Sequence, residues 1–510
     1  MPHSLFFLSW TPILLVFVLA VGFRTQAMTL AVCAFVYTAL LVFFVFKTAP
    51  AVIFLASLDG ILTTVPLLLV VYCGILLSAF LLEKGSLQRL AQWLSSGTLS
   101  PIRKSLLLSV GVGNFMEGAG VIAEPVAAPM IRASGMDPKA SAILSILGYS
   151  GLMHLSLAGV IVTVLASVTG IAPETLAWHL GILSFPSTIL LCLSIPWVVN
   201  TPYGLKENLF ALFFTGLLAA FVAAASARYV GYSISGMLAG VAAVVFFYLT
   251  TRQRPRSTPT LWRDLCPFAF LFFCLASVNL FEPLRHLVSR RLVVSIALIP
   301  QHTIRLRPFF DAYTYLLVAF LLAFLLHAER DERLLKFFRT ASRKAVRPVV
   351  AMALFGAMGQ VIAYSGYSRS FADLDLKHNV ALCLAQGIID TTGNLYPLFA
   401  PLLGWVGTFL TGYGVASIML FGRLQMETAS MMGISAPFLV CSLTVGASIG
   451  SISSPFKIAI AAPLCGAEGR EGDILRKTIP LGIAISLGVG LFTLLWLRLH
   501  VSALPRAGGG

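Results

Sequence analysis

The feature that most constrains the fold is a succession of apolar runs, each about 20 residues long, along almost the whole sequence. A helix of about 20 residues crosses a bilayer core about 30 Å thick. Apolar residues make up 58% of the chain and charged residues 11%, which leaves little room for a separate soluble domain. The sequence therefore predicts an all-α polytopic membrane protein with about twelve to fourteen transmembrane segments.

The candidate segments lie at 8–23, 27–47, 60–82, 105–133, 140–168, 178–200, 209–227, 231–250, 264–283, 310–327, 348–365, 379–400, 402–422, 433–463 and 478–497. Segments 105–133 and 433–463 are rich in glycine and interrupted by proline. Each is therefore a plain span, a re-entrant hairpin or a discontinuous helix. The start of the chain does not resemble a cleaved signal peptide, because no Lys or Arg precedes the first apolar run.

The formal net charge of +15 comes from cations that concentrate in short loops between the apolar runs. The positive-inside rule explains such loops as cytoplasmic, without any nucleic-acid partner, and then places both termini outside. Residues 284–307 also carry five arginines but fall on the outer side. For them we expect an interfacial amphipathic helix.

A basic, proline-containing stretch from Thr251 to Asp264 marks a natural midpoint. We expect an inverted repeat around it. The predicted units are an extra N-terminal span (1–26), a first repeat half (27–250), a basic linker with one span and an outer loop (251–309), a second repeat half (310–500) and a tail (501–510).

The first candidate site motif runs from Gly111 to Gly120 and continues through Pro125. It places Glu117 and Glu124 inside an apolar run, where an acid is costly and is kept mostly for function. Gly120 and Pro125 let the helix break there. We interpret the motif as one half of a substrate site in a secondary transporter, and we predict that the two acids couple transport to protons. A kinked packing helix is the alternative for the motif, and an interfacial acid is the alternative for Glu124.

Two later motifs, Thr411 to Glu427 and Gly446 to Lys457, combine small and polar residues. In the second motif the helix breaks at Pro455. Freed backbone groups and half-helix N-termini there favour a small anion. For Lys457 a bound carboxylate, a salt bridge to Glu117 or Glu124 and a snorkelling side chain all remain open. The candidate substrate-binding residues are Gly118, Thr411, Gly412, Gln425, Gly446, Gly450, Ser454 and Lys457.

The sequence contains no nucleotide-binding loop, no zinc-ligand spacing and no catalytic triad, so we expect no cofactor, no metal and no enzymatic activity. Eight scattered cysteines are expected to be reduced packing residues. Asp59, His154 and Asp390 are polar residues in apolar surroundings, and for each a structural hydrogen bond is the preferred interpretation.

Three blocks follow one another along the chain. They are Gly113-Asn-Phe-Met-Glu-Gly-Ala119 with Pro125-Val-Ala127; Leu403 to Gly412 with Leu420 to Gln425; and Ser454-Pro455 with Ile458-Ala459 and Gly469 to Arg476. Together, and in this order, they resemble the lactate permease family. The resemblance implies an inner-membrane proton symporter of small 2-hydroxy monocarboxylates such as lactate and glycolate. The residues at which this resemblance carries over to the chain are Glu117, Gly118, Pro125, Thr411, Gly412, Gln425, Gly446, Gly450, Ser454 and Pro455.

The departures from the family pattern cluster in the predicted site. They include Glu124, the stretches Gly148 to His154 and Tyr413 to Ile418, and Phe456-Lys457. They favour a different organic anion or a different coupling ion, sodium among them, on the same scaffold. A membrane-embedded enzyme is the alternative from another class. The expected partners are a small carboxylate, a proton or sodium ion, and the lipid bilayer.

Overall fold

The fold is taken from a computed structural model, which describes residues 3–19, 27–95, 100–199, 204–250, 260–300, 302–328 and 334–501. Residues 251–259 of the predicted linker, residues 329–333 of a predicted cytoplasmic loop, and residues 502–510 of the predicted tail lie outside the described residues.

The part of the chain before the linker is helical. Its helices are α1 (His3–Phe17), α2 (Ala27–Phe44), α3 (Pro50–Glu83), α4 (Ser86–Ser95), α5 (Pro101–Ser105), α6 (Gly113–Gly118), α7 (Glu124–Ala133), α8 (Pro138–Ser150), α9 (Val160–Thr169), α10 (Pro173–Val198), α11 (Gly204–Tyr229) and α12 (Ser235–Thr250). A π-helix (Leu106–Val112) joins α5 to α6, and 3₁₀ turns lie at Met153–Leu155, Leu157–Gly159 and Tyr232–Ile234.

The second part adds one small sheet. Its elements are α13 (Leu261–Leu280), α14 (Glu282–His286), a π-helix (Leu287–Arg291), β1 (Val294–Ile299), β2 (His302–Leu306), α15 (Tyr313–His327), α16 (Leu334–Ala363), a 3₁₀ turn (Leu376–His378), α17 (Val380–Thr392), a 3₁₀ turn (Gly393–Leu395), α18 (Tyr396–Thr411), α19 (Gly414–Met432), α20 (Ala436–Gly450), a 3₁₀ turn (Ser451–Ser453), α21 (Pro455–Leu464) and α22 (Glu471–Val501).

The all-α membrane class is confirmed. Among the described residues, seven helices are long and apolar enough to cross a bilayer, and six shorter apolar helices accompany them. Large apolar side chains such as Phe44, Phe210 and Leu249 are at least 70% exposed on the outer surface. An apolar surface of this extent is unfavourable in water, so we expect lipid to cover it.

Several helices approach each other closely at glycines, which have no side chain. In α3 and α16, Gly60 and Gly356 face each other so tightly that a Cβ on Gly356 would lie 2.8 Å from the carbonyl oxygen of Gly60. In α20, Gly446 lies directly against the backbone of Pro401 in α18. Small residues at such crossings let membrane helices gain backbone-to-backbone packing.

Four interruptions of helices in the described part of the chain position the candidate site, and the sequence predicts only two of them. After the first interruption, residues 119–123, α7 contacts α6 and the π-helix that precedes it, so the chain turns back as a hairpin. After the second, at Gly412 and Tyr413, α19 packs along α18 and forms another hairpin. Gly120 and Gly412 have φ of +83° and +85°, which glycine adopts without strain.

The other two interruptions separate the parts of discontinuous helices. Residues 151–159 separate α8 from α9, and residues 451–454 separate α20 from α21. Beyond its break, α21 contacts α7 and α8. Pro125 and Pro455 lie in the first turns of α7 and α21. A backbone N–H in the first turn has no partner within the helix, so the missing N–H of proline costs little there. The prolines therefore begin helices after the breaks.

Two boundary predictions are wrong. The predicted spans 379–400 and 402–422 divide instead at Gly393 and Gly412, both with positive φ, into α17, α18 and α19. The amphipathic helix expected over 284–307 is helical only to Arg291 and then becomes an antiparallel hairpin, with Val294 opposite Leu306. Apolar and polar residues alternate in β2, which is the period of a half-buried strand. The division into two repeat halves stays a prediction.

Candidate functional site

The first hairpin tip holds Glu117 inside the protein. Glu117 lies one residue before the end of α6, and its carboxyl Oε2 accepts a hydrogen bond of 3.2 Å from the backbone N–H of Ala123. The side chain therefore spans the turn whose left-handed residue is Gly120. Only 3% of Glu117 is exposed. The sequence motif thus folds into a tip with its acid turned inward.

Glu124 begins the returning helix of the same hairpin. It is the first residue of α7, where the unpaired N–H groups of a helix end favour a negative charge. The hydroxyl of Tyr149, on α8, donates a 2.5 Å hydrogen bond to Glu124 Oε1. Glu124 is 1% exposed, and its Oε2 has no hydrogen-bond partner among the described residues.

Lys457 reaches this pair of acids from the other end of the sequence. Ser454 caps α21 by accepting the Lys457 backbone N–H through its hydroxyl oxygen, which fixes the first turn. The ammonium Nζ lies 2.6 Å from the Tyr149 hydroxyl, 3.3 Å from Glu124 Oε1 and 3.9 Å from Glu117 Oε1. Of the three interpretations left open for Lys457, the structure has the salt bridge.

Glu117, Glu124, Tyr149 and Lys457 form what we call the ion cluster. All four side chains are buried, and Lys457 is the most exposed at 6%. The attraction between unlike charges is strong where water is excluded, but each ion also loses its hydration. A cluster of this kind is stable only while its charges remain matched. Its acids and its cation are therefore sensitive to protons and to any anion that enters.

The other helix breaks surround the ion cluster. Phe456, next to Lys457, packs on Tyr413 at the second hairpin tip, with ring centroids 4.9 Å apart. Met153, in the α8–α9 break, accepts a 3.0 Å hydrogen bond at its sulfur from the Ser451 hydroxyl. Met153 also lies beside Gly414 at the start of α19. All four interruptions thus meet in one region of the molecule.

Comparison with known proteins decides the family. The model of the family described as L-lactate permease matches residues 5–263 and 268–500. The chain belongs to the L-lactate permease family.

Curated relatives of this family member match either most of the chain at low identity or a shorter part at higher identity. Glycolate permease GlcA of Escherichia coli K12 is 23% identical over 545 residues, which cover 95% of this chain and 94% of the relative. The L-lactate permease of the same strain is 25% identical over 448 residues, covering 78% and 79%. The L-lactate permease of Bacillus subtilis 168 is 36% identical over 104 residues, covering 20% and 18%.

Two solved transporters align with most of the chain at low sequence identity. The Alcanivorax borkumensis YdaH transporter aligns with a TM-score of 0.49 at 13% identity, covering 93% of this chain and 99% of that one. Neisseria gonorrhoeae MtrF, described as an antimetabolite efflux pump, aligns with a TM-score of 0.43 at 13% identity, covering 90% and 85%.

Several residues predicted to bind substrate in this permease-family chain have structural partners. The Thr411 hydroxyl donates to the carbonyl oxygens of Gly407 and Tyr413, and so stabilises the second hairpin tip. Gln425 donates to the hydroxyl of Tyr396 on α18. Three of the predicted glycines lie against the backbones of neighbouring helices: Gly118 against Met237, Gly446 against Pro401 and Gly450 against Trp405. The fourth, Gly412, lies against the side chain of Phe456.

The sequence interpretation missed Tyr149, Met153, Tyr413 and Phe456 as site residues. The only available signal was indirect: they fall in stretches that depart from the family pattern. His154, treated as a structural hydrogen-bond partner, lies 2.8 Å through Nε2 from the Ser184 hydroxyl. Among the described residues, no group of three His, Cys, Asp or Glu side chains could hold a metal ion.

A cavity of about 190 Å³ lies elsewhere, where α8 and α22 begin and α10 ends. Lys139 and Asp473 line it and form a 2.9 Å ion pair, but their side chains are 31% and 47% exposed. An ion pair so exposed to water contributes little to stability, and its lysine is a weak binding group for an anion. The candidate site is therefore the ion cluster and not this cavity.

Proposed function

We propose that the chain is a secondary active transporter of small 2-hydroxy monocarboxylates, lactate and glycolate among them, and that it couples their uptake to protons across a bacterial inner membrane. The observation that carries the proposal is the ion cluster, in which a hairpin tip and a helix break bring two acids and one lysine together. The relatives are named as permeases of lactate and of glycolate.

The residues of the cluster divide the work by their chemistry. Lys457 and the Tyr149 hydroxyl are the donors that suit a carboxylate, because a charge-assisted hydrogen bond is strongest where water is excluded. Glu117 and Glu124 are the groups that take up and release protons. The helix breaks free backbone N–H groups for the remaining polar atoms of the substrate.

The position of the cluster suits alternating access. Both acids and Tyr149 come from one part of the chain, whereas Lys457 comes from α21, more than 300 residues away in sequence from Tyr149. A rigid-body movement between the two parts opens the site to one side or the other. In the present arrangement all four side chains of the cluster are buried.

Uptake of radiolabelled lactate and glycolate into proteoliposomes tests the proposal. A pH gradient, acid outside, is expected to drive accumulation of unchanged substrate, and a sodium gradient at equal pH is not. The double variant E117Q/E124Q is expected to lose the pH-driven accumulation. E468Q, at an exposed glutamate, serves as the matched control and is expected to keep it.

Three results would count against the proposal. They are accumulation driven by sodium alone, pH-driven accumulation that survives in the double variant, and release of a chemically altered product, which would indicate an enzyme.

A further inference from the structure

The ion cluster holds unequal numbers of acids and cations. Two carboxyl groups, Glu117 and Glu124, face one ammonium group, Lys457. Among the ion pairs of the described residues, none brings a second cation to these acids. The arginines of α7 and of α4, which contacts α7, have other partners: Arg132 donates to the carbonyl oxygen of Met136, and Arg89 binds Asp264.

The groups that face the two acids from the surrounding elements supply no further charge. They are Tyr149 of α8 and, at the second hairpin tip, Tyr413, whose hydroxyl has no partner among the described residues. The acids' hairpin meets α12 at Met237 and α3 at Gly74, both uncharged. With both carboxyls ionised, this buried cluster would therefore carry one net negative charge.

An unmatched charge in a water-poor interior is so costly that the group takes a proton instead. The N-terminal end of α7 and the Ala123 N–H offset only part of the free energy of burying the charge, because a helix end carries about half a unit charge. Neutrality requires one protonated carboxyl beside one ionised carboxyl and Lys457. The empty site then already contains a proton.

We propose that one proton stays in the cluster throughout the transport cycle and that a second proton enters with each monocarboxylate. This inference rests on the proposed function and adds its stoichiometry. A substrate carboxylate that binds Lys457 and Tyr149 takes the place that Glu124 now occupies. The displaced Glu124 carboxylate cannot stay ionised without its partner, so it takes a proton from the side to which the site is open.

The charges balance at both stages. The empty site holds Lys457 as a cation, one carboxylate and one carboxylic acid. The loaded site holds Lys457, the substrate carboxylate and two carboxylic acids. When the substrate leaves, one proton leaves with it, and the ionised Glu124 pairs with Lys457 again. One monocarboxylate and one proton cross together, and no net charge moves.

Infrared difference spectroscopy on purified, substrate-free protein tests the retained proton. A carboxylic-acid C=O band is expected at neutral pH in the wild-type protein and in E468Q. The band is expected to be lost in E117Q and also in E124Q, because a single acid beside Lys457 stays ionised. An unchanged band in both single variants would overturn the retained proton.

Transport under a membrane potential tests the stoichiometry. In proteoliposomes with a fixed pH gradient, the initial rate of lactate uptake is expected to be the same with and without an inside-negative potential imposed by valinomycin and potassium. Faster uptake under the potential would overturn the inference while leaving the proposed function intact. A complete lack of uptake would instead overturn the proposed function, and the infrared measurement would still decide the retained proton.

Discussion

At the scale of single residues, Tyr149 is the contact that connects the two charges of the site. Its hydroxyl donates to Glu124 and lies against Lys457 Nζ, so it fixes the position of both. The residue is completely buried. Removing one partner from a buried polar pair leaves the other to bear the cost of lost hydration.

Tyr149→Phe is therefore expected to lower the free energy of unfolding by about 1–3 kcal/mol, because the buried Glu124 carboxylate loses its donor. Thermal unfolding of the purified, substrate-free protein measures this. Tyr413→Phe is the matched control, since the Tyr413 hydroxyl is buried without a partner among the described residues. Equal stability of the two variants would show that the Tyr149 hydroxyl does not hold the acid.

At the scale of elements, a buried histidine connects the β-hairpin to the helices. His302 on β2 directs Nδ1 at the Asp59 carboxylate of α3, 2.7 Å away. Its Nε2 lies 2.8 Å from the carbonyl oxygen and 3.1 Å from the hydroxyl of Ser167 on α9. Gln360 of α16 also donates to Asp59. The imidazole therefore links the hairpin to two helices through polar contacts.

His302→Gln is expected to lower the free energy of unfolding by about 1–3 kcal/mol, because the fully buried Asp59 side chain loses its imidazole partner. It should also expose the hairpin to limited proteolysis. The double variant D59N/H302Q should recover part of the loss, since no buried carboxyl group is then left without its partner. Thr303→Ala, on the exposed face of the same strand, is the control. If H302Q were as stable as T303A, the contact between His302 and Asp59 would not anchor the hairpin.

The elements also show which parts of the fold the sequence can predict. The broken helix at Glu117 and Gly120 was predictable, because an acid and a left-handed glycine inside an apolar run are local signals. The proximity of Tyr149 to Lys457 was not, because it depends on how distant helices pack. The β-hairpin was missed because its arginines dominated the interpretation, although the alternation in β2 was visible. The extra break after Ser150 contains no proline and is marked only by Gly151, His154 and Gly159.

At the scale of the whole molecule, ion pairs connect the loops that the positive-inside rule places in the cytoplasm. Arg89 and His327 both bind Asp264, which joins α4, α13 and α15. Lys139 at the start of α8 binds Asp473 at the start of α22. His302 and Asp59 belong to the predicted outer side. The sidedness deduced from charge is thus consistent with the contacts, but it stays a prediction.

Cysteine labelling can test this sidedness. In a background without the eight native cysteines, Ala372→Cys is expected to react with a membrane-impermeant maleimide in right-side-out vesicles. Glu468→Cys should react only after the vesicles are permeabilised. Both positions are exposed on loops, so reactivity reports the side and not burial. The reverse pattern would mean that the whole topology is inverted.

The crossing of α3 and α16 sets a limit on how such a molecule can move. At Gly60 and Gly356 the two main chains touch with no side chain between them, so neither rod can come nearer to the other. Sliding would drive the bulkier neighbours of these glycines into the contact. The two helices can still rock about this contact, as a seesaw does, so that moving them apart at one end brings them closer together at the opposite end.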